Sequence, residues 1–311
     1  MSKVSTALRL DDLCKSFGRI RAVDHLSLEV HPGEMVGFLG PNGAGKSTTL
    51  YMIAGLVHPS AGTIEVFGHN VQRRFKDAMQ HAAAMVETPA FYESLSGRKN
   101  LELVGRLRGN VPESQIEDIL NHVGLYDRRN DKVATYSHGM KQRLGLGTTM
   151  LGNPRLLLLD EPTSGMDPEG TREILTLLKE RVRNEGLAVF LSSHLLYEVE
   201  EYCDRVIVIN QGRAIASGNV RDILAPHDNV VRVTFSDLVP NCSDLAAQEA
   251  IERAAVVSDD SLEITLSGRD AGWLNDYLLS GGYRVSALVP KQKTLKEFFL
   301  SITGDQESCG I

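Results

Sequence analysis

Nine residues, Gly40-Pro41-Asn42-Gly43-Ala44-Gly45-Lys46-Ser47-Thr48, constrain this chain more than any other stretch of it. Gly40, Gly45, Lys46 and Ser47 fall on the fixed positions of the pattern G-x-x-x-x-G-K-[ST]. Lacking a Cβ, Gly40, Gly43 and Gly45 admit left-handed dihedrals that turn successive N–H groups inward as a nest for an anion. The preceding Met35-Val36-Gly37-Phe38-Leu39 reads as a short buried strand, and residues 47–54 read as a helix whose N-terminal dipole faces the same point. Strand, glycine-rich turn and helix in that order are the setting the pattern needs to hold phosphate. Lys46 then offers a compact positive charge to β- and γ-phosphate oxygens, and the Ser47 hydroxyl offers a ligand to Mg²⁺. A glycine-rich turn that only packs is the plain alternative, and the flanking strand and helix speak against it.

Composition narrows the rest. A chain of 311 residues, 42% of them hydrophobic, can bury a large core and suits one large domain with a smaller companion. A net charge of -7 argues against a nucleic-acid binder relying on a basic face, and no nucleic acid is expected as a partner. Cys14, Cys203, Cys242 and Cys309 lie far apart without a C-x-x-C pair, which favours reduced thiols in a cytoplasm over a zinc or redox site. No stretch approaches about 18 consecutive apolar residues, and the N-terminus has no basic-then-apolar signal, so the chain is expected to be neither membrane-spanning nor secreted.

In chain order, residues 8–13 and 22–30 read as strands, with a turn at His31-Pro32-Gly33, giving an antiparallel start. Phe17 sits where an aromatic face could stack on a purine or simply fill the core. Residues 63–67 read as a strand continuing the sheet that the phosphate loop closes. From 71 to 151 the pattern turns mostly helical, with Leu101, Val104 and Leu107, then Ile116, Ile119, Leu120 and Val123, at helical spacing. Inside it, Ser137-His138-Gly139-Met140 sets a serine and a glycine ahead of a helix, as a cap and anion-binding turn would. Leu156-Leu157-Leu158-Leu159 then runs into Asp160-Glu161, which suits a central parallel strand delivering carboxylates to its ligand-binding end. Asp160 would hold Mg²⁺ and Glu161 would orient or deprotonate a water; both could instead cap the next helix. Residues 187–191 form a second such strand ending in Ser192-Ser193-His194.

A turn at Asn210-Gln211-Gly212 joins residues 206–208 to 214–216, and the first domain is expected to span 1–224. Residues 225–311 read as a small α+β domain of order βαββαβ. Val231, Val233 and Phe235 alternate with Arg232 and Thr234, a helix is expected near 245–254, and a hairpin turns at Asp259-Asp260. A helix at 273–279 and a strand at 283–288 follow. Thr294 with Glu297 three residues later forms a capping box that opens the final helix.

From Phe17 to His194 these pieces follow one another in the order found in the ATPase subunit of an ATP-binding cassette transporter, which residues 1–224 closely resemble. The resemblance implies an α/β P-loop nucleotide-binding cassette: a mixed central sheet, an antiparallel β subdomain and an inserted helical subdomain at about 71–151. It implies that Phe17 stacks on adenine, and that Gly40, Asn42, Gly43, Ala44, Gly45, Lys46, Ser47 and Thr48 are the Walker A loop holding ATP. Ser137 and Gly139 stand in the signature sequence, Asp160-Glu161 end Walker B, Ser164-Gly165-Met166-Asp167 match the D-loop, and His194 matches the switch histidine. Catalysis would then fall to Lys46, Glu161 and His194, and Mg²⁺ to Ser47, Asp160 and Glu87.

Two departures stand out. Glu87, in Met85-Val86-Glu87-Thr88-Pro89, replaces the family's usual glutamine, so a bond from metal-bound water can still be accepted but an amide donor is lost. The signature reads Ser-His-Gly-Met rather than Ser-Gly-Gly-Gln, keeping the serine hydroxyl and the second glycine. The resemblance further implies a sandwich of two cassettes, each ATP lying between the Walker A loop of one and Ser137 and Gly139 of the other; pairing with a different cassette is open, and intact Glu161, His194 and Ser137 favour a homodimer. It also implies a separate transmembrane permease subunit, with this chain at the cytoplasmic face of the membrane. Glu87, Phe91-Tyr92-Glu93-Ser94-Leu95-Ser96-Gly97 and the closing helix look most like exporters of drugs and antimicrobial peptides. An importer ATPase and a soluble cassette protein are the alternatives; a single phosphate loop and no sustained heptad run weigh against the latter. Replacement Lys46→Ala is expected to abolish ATP hydrolysis measured as phosphate release, and an unchanged rate would overturn the assignment of the loop.

Overall fold

The computed structural model describes residues 6–109, 111–292 and 294–303. Two compact units make up the chain, the first running through Val220 and the second covering Arg221–Ser301. In the first, a six-stranded sheet has the order Arg213–Asn219, Arg205–Asn210, Met35–Leu39, Ala188–Ser192, Leu156–Asp160, Ala82–Met85. Met35–Leu39 and Ala188–Ser192 are buried at every position, which explains runs that are apolar without alternation: both faces of a parallel sheet are covered. Phe38 pairs with Ser192, and Ser192 with Asp160, so these parallel strands end level with one another. Helix Pro168–Glu185 makes the crossover that follows Leu156–Asp160; proline opens it at its first turn and Gly186, at φ +70°, closes it.

A second sheet in this unit is antiparallel, in the order Ile20–Val30, Leu8–Phe17, Ala61–Val66, His69–Asn70. The strand expected at 63–67 therefore belongs here and not to the sheet of the phosphate loop. Its pattern gives the reason, since buried Ile64 and Val66 flank the partly exposed Glu65, as suits a sheet with only one covered face. That face and the parallel sheet share one core, in which Leu10, Leu26 and Ile64 pack with Phe38, Leu158 and Phe190.

The stretch from 71 to 151 holds the helices Phe75–Met79, Gly97–Leu107, Glu113–His122 and His138–Met150. It also holds a strand the helical reading missed. Ala82–Met85 pairs in parallel with Leu156–Leu159 at the sheet edge. Three alanines carry no strand propensity, so the pairing comes from tertiary context.

The second unit runs strand Pro226–Phe235, helix Cys242–Ala246, strands Ile251–Ser258 and Ser261–Leu266, helix Ala271–Ser280 and strand Val285–Gln292. Its four strands form an antiparallel sheet, and Val231, Val233 and Phe235 are buried with Leu262, Ile264, Leu274 and Leu278. The helix expected at 245–254 is shorter and earlier than that. Asn241 caps it by accepting from the Ser243 N–H at 3.1 Å, and from Ile251 the alanine-rich chain is a strand, Ile251 pairing with Leu266. Cross-strand pairing has overridden helix propensity. The strand expected from 283 begins at Val285, because the Tyr283 N–H still bonds the Leu278 carbonyl and so belongs to the helix terminus. Helix Leu295–Thr303 opens on the expected capping box: the Thr294 N–H donates to Glu297 Oε2 at 3.1 Å, and the Glu297 N–H donates to Thr294 Oγ1 at 3.2 Å.

Phe190 and Phe38, both fully buried with ring centroids 5.1 Å apart, sit at the centre of the first unit. Phe190→Ala should destabilise that unit by about 3–5 kcal/mol in chemical denaturation, and a change below about 1 kcal/mol would place this core elsewhere.

Candidate nucleotide site

The phosphate loop joins strand Met35–Leu39 to helix Lys46–Ile53. Gly45, the residue before that helix, has φ +105°, and a Cβ there would lie 2.4 Å from the Ala22 carbonyl oxygen. Gly43 is left-handed as well, at φ +79°. Gly40 does not take the left-handed conformation expected of it; it is needed for space, since a Cβ would stand 2.3 Å from the Ile209 carbonyl oxygen. No side chain caps the helix at Gly45, so its first N–H groups are left for an anion. Lys46 is 7% exposed, and its ammonium donates to the Gly40 carbonyl at 2.7 Å and the Pro41 carbonyl at 3.1 Å. Burial lowers the proton affinity of Lys46, while the charges of Glu161 and Asp160 oppose that shift.

Those carboxylates come from the end of strand Leu156–Asp160. The buried Ser192 hydroxyl, one strand away, donates to Asp160 Oδ1 and accepts from the Glu161 N–H at 3.1 Å. Glu161 takes φ +46°, a left-handed backbone unusual outside glycine, and its N–H is within 3.2 Å of the Ser192 carbonyl as well. The bend turns its carboxylate off the strand axis, where Oε1 lies 3.2 Å from Nδ1 of His194. Two carboxylates of consecutive residues thus have different surroundings, one fixed by a serine and the other beside an imidazole.

A cleft of about 560 Å³ brings Ser47, Glu87, Asp160 and Glu161 together, with Tyr51 and Gln142 also in its wall. Tyr51 hydrogen-bonds Glu87; its phenol is pushed above the ordinary range by burial, and by the Glu87 and Asp160 charges. Gln142, 6% exposed, reaches the Glu161 carbonyl from helix His138–Met150 at 3.4 Å. The sequence reading passed over Tyr51, Gln142 and Ser192. A tyrosine and a glutamine inside helices carry no local signal of their own, and Ser192 was legible only as part of a polar strand end.

The remaining expected residues lie apart from this cleft. Ser137 caps helix His138–Met150 by accepting from the Met140 N–H at 3.2 Å, and Gly139 is in its first turn. His138 does line the cleft, and its ring packs so close to Gly165 that a Cβ there would be 2.2 Å from it. Phe17, at the end of strand Leu8–Phe17, is 49% exposed, with the Lys15 ammonium 4.9 Å from its ring centroid. Such an exposed aromatic face can receive a base.

Ser47, Glu87 and Asp160 form an all-oxygen donor set, the kind a hard cation such as Mg²⁺ accepts. Elsewhere, ligand atoms of Cys14, Asp24 and His25 approach within 4.8 Å of one another. Asp24 is already engaged there by Arg21 at 2.8 Å and Arg213 at 2.6 Å, so its charge is neutralised without a metal. Among the described residues no helix is long and apolar enough to cross a membrane.

The family model described as ABC transporter matches residues 23–164. An uncharacterized ABC transporter ATP-binding protein of Bacillus subtilis is 37% identical over 302 residues, 97% of each chain. The bacitracin transport ATP-binding protein of Bacillus licheniformis is 32% identical across 97% of this chain and 98% of its own. A solved ATP-binding subunit of an ABC transporter superimposes with a TM-score of 0.64 at 32% identity, over 70% of this chain and 92% of its own. With its phosphate loop and strand-end carboxylates on one sheet edge and its likeness to these relatives running nearly end to end, the chain belongs to the ATP-binding subunits of ABC transporters and is an ATPase serving transport.

Proposed function

We propose that this chain hydrolyses ATP at a site shared between two copies of itself, and that the cycle drives a separate transmembrane subunit exporting a drug, peptide or lipid. The observation that carries the hydrolytic part is the placement of Glu161. Its strained backbone aims a carboxylate into the cleft that Ser47 and Asp160 also line, and His194 lies against it. In this reading the loop N–H groups of residues 40–48 and Lys46 bind the β- and γ-phosphates. Glu161 accepts the proton of the attacking water, and His194 orients Glu161 and reaches the γ-phosphate. Ser47 and Asp160, with Glu87 beside them, would hold Mg²⁺, which when bound would neutralise charge on the phosphates. Phe17 stacks on the adenine.

Ser137 and Gly139 stand outside the cleft, as residues would that serve the nucleotide of a second copy. A self-complementary pairing gives two equal sites, because every element needed is present in one sequence. The likeness to the bacitracin transport protein along almost the whole length of both chains supports a transport role, and the export direction follows the resemblance of Glu87, residues 91–97 and the closing helix to exporters of drugs and antimicrobial peptides. The permease would seat this chain at the cytoplasmic face of the membrane.

Glu161→Gln removes the proton acceptor while keeping the shape of the side chain. The variant should bind ATP, lose hydrolysis by at least about a hundredfold, and accumulate as a dimer in size-exclusion chromatography with ATP and Mg²⁺. Normal phosphate release by this variant would refute the role given to Glu161.

A further inference from the structure

Glu198 is a carboxylate that none of the motifs above uses. It lies in the first turn of helix Leu196–Tyr202 and is 1% exposed. Among the described residues no lysine, arginine or histidine forms an ion pair with it. Its two oxygens are instead divided between two hydroxyls from different loops. Thr163 donates to Oε1 at 2.7 Å, and Ser193 donates to Oε2 at 2.7 Å. Both donors are themselves buried, at 5% and 2% exposure.

The positions of those donors give the arrangement its meaning. Thr163 is two residues beyond Glu161, inside a turn closed by the Ser164 N–H on the Glu161 carbonyl at 3.1 Å. Ser193 is the residue before His194, and its hydroxyl also accepts from the Leu195 N–H at 3.0 Å, fixing the loop on the other side of the histidine. A carboxylate removed from water without a cationic partner costs several kcal/mol, and the two charge-assisted bonds offset only part of that. Packing alone would be served better by an apolar side chain of the same volume.

We propose that Glu198 is a positioning residue for hydrolysis: by gripping Thr163 with one oxygen and Ser193 with the other, it fixes the turn bearing Glu161 against the loop bearing His194, so that Glu161 Oε1 and His194 Nδ1 stand 3.2 Å apart. The inference rests on the reading of Glu161 and His194 as the hydrolytic pair. It acts on the rate of the chemical step, because neither Thr163 nor Ser193 belongs to the phosphate loop that binds ATP.

The test uses the full chain and compares Glu198→Gln, Thr163→Val and Ser193→Ala with the wild type, reading kcat, KM for ATP and the thermal midpoint. Each variant should lose about tenfold or more in kcat, since small misplacements of reacting groups are costly, with KM moving less than about twofold. Thr163→Ser, which keeps the hydroxyl, should recover most of the rate lost in Thr163→Val. Added to Glu161→Gln, the Glu198→Gln change should bring no further loss, because both act through the same group. Wild-type kcat in folded Thr163→Val and Ser193→Ala chains would overturn the inference, as would losses confined to KM. The two levels separate cleanly: if Glu161→Gln hydrolyses normally, the underlying reading fails, whereas if Glu161→Gln is inactive and the hydroxyl variants are fully active, only the clamp fails.

Discussion

The parallel register of three strands is the constraint on which the rest depends. Phe38 pairs with Ser192 and Ser192 with Asp160, so strands far apart in sequence finish on one line and their loops leave from one edge. The loop after Leu39 becomes the glycine-rich cradle, the loop after Asp160 carries Glu161, and the loop after Ser192 carries His194. A slip of one residue in either pairing would move the carboxylates by about 3.3 Å relative to the phosphate loop. Complete burial of Met35–Leu39 and Ala188–Ser192, and of Leu156 to Leu159 beside them, is what forbids the slip, since these side chains are packed on both faces.

Around that edge the chain accepts local costs that a purely structural design would avoid. Glu161 holds a left-handed dihedral, Lys46 keeps an ammonium largely out of water, and Glu198 keeps a carboxylate there without a cation. Each is held by specific bonds: Lys46 by loop carbonyls, Glu161 by Ser192, Glu198 by two hydroxyls. Strain and buried charge gather at this edge because there the groups must meet a charged substrate in fixed positions.

Much of this edge was legible in the sequence, since the glycine spacing and the apolar runs ending in Asp160-Glu161 and Ser192-Ser193-His194 are local signals of strong physical origin. Glu87 was reached only through the family resemblance, at the place where a glutamine usually stands, because nothing local in the sequence marks it. Less legible was whatever tertiary packing decides. Ala82–Met85 has the composition of a helix and becomes a strand only because Leu156–Leu159 offers it an edge. Residues 251–254 likewise favour a helix until paired with Ser261–Leu266. The strand at 61–66 was readable as a strand, but its sheet was not, because alternation reports one covered face and not the identity of the neighbour. The contacts of Glu198 with Thr163 and Ser193 are invisible to any local pattern, since Thr163 lies 35 residues away in sequence.

If the phosphate loop of one copy works with Ser137 of another, neither copy alone holds a complete site. Mixing two inactive variants of the full chain tests this most directly: Lys46→Ala, which spoils the phosphate loop, and Ser137→Arg, which spoils the surface offered to the partner's nucleotide. A mixed dimer then keeps one intact site, formed by the loop of the Ser137→Arg chain and the serine of the Lys46→Ala chain. The account predicts that each variant alone shows only background phosphate release and that the mixture recovers clear ATP hydrolysis. A mixture that stays at background, or a Ser137→Arg chain as active as the wild type by itself, would contradict it.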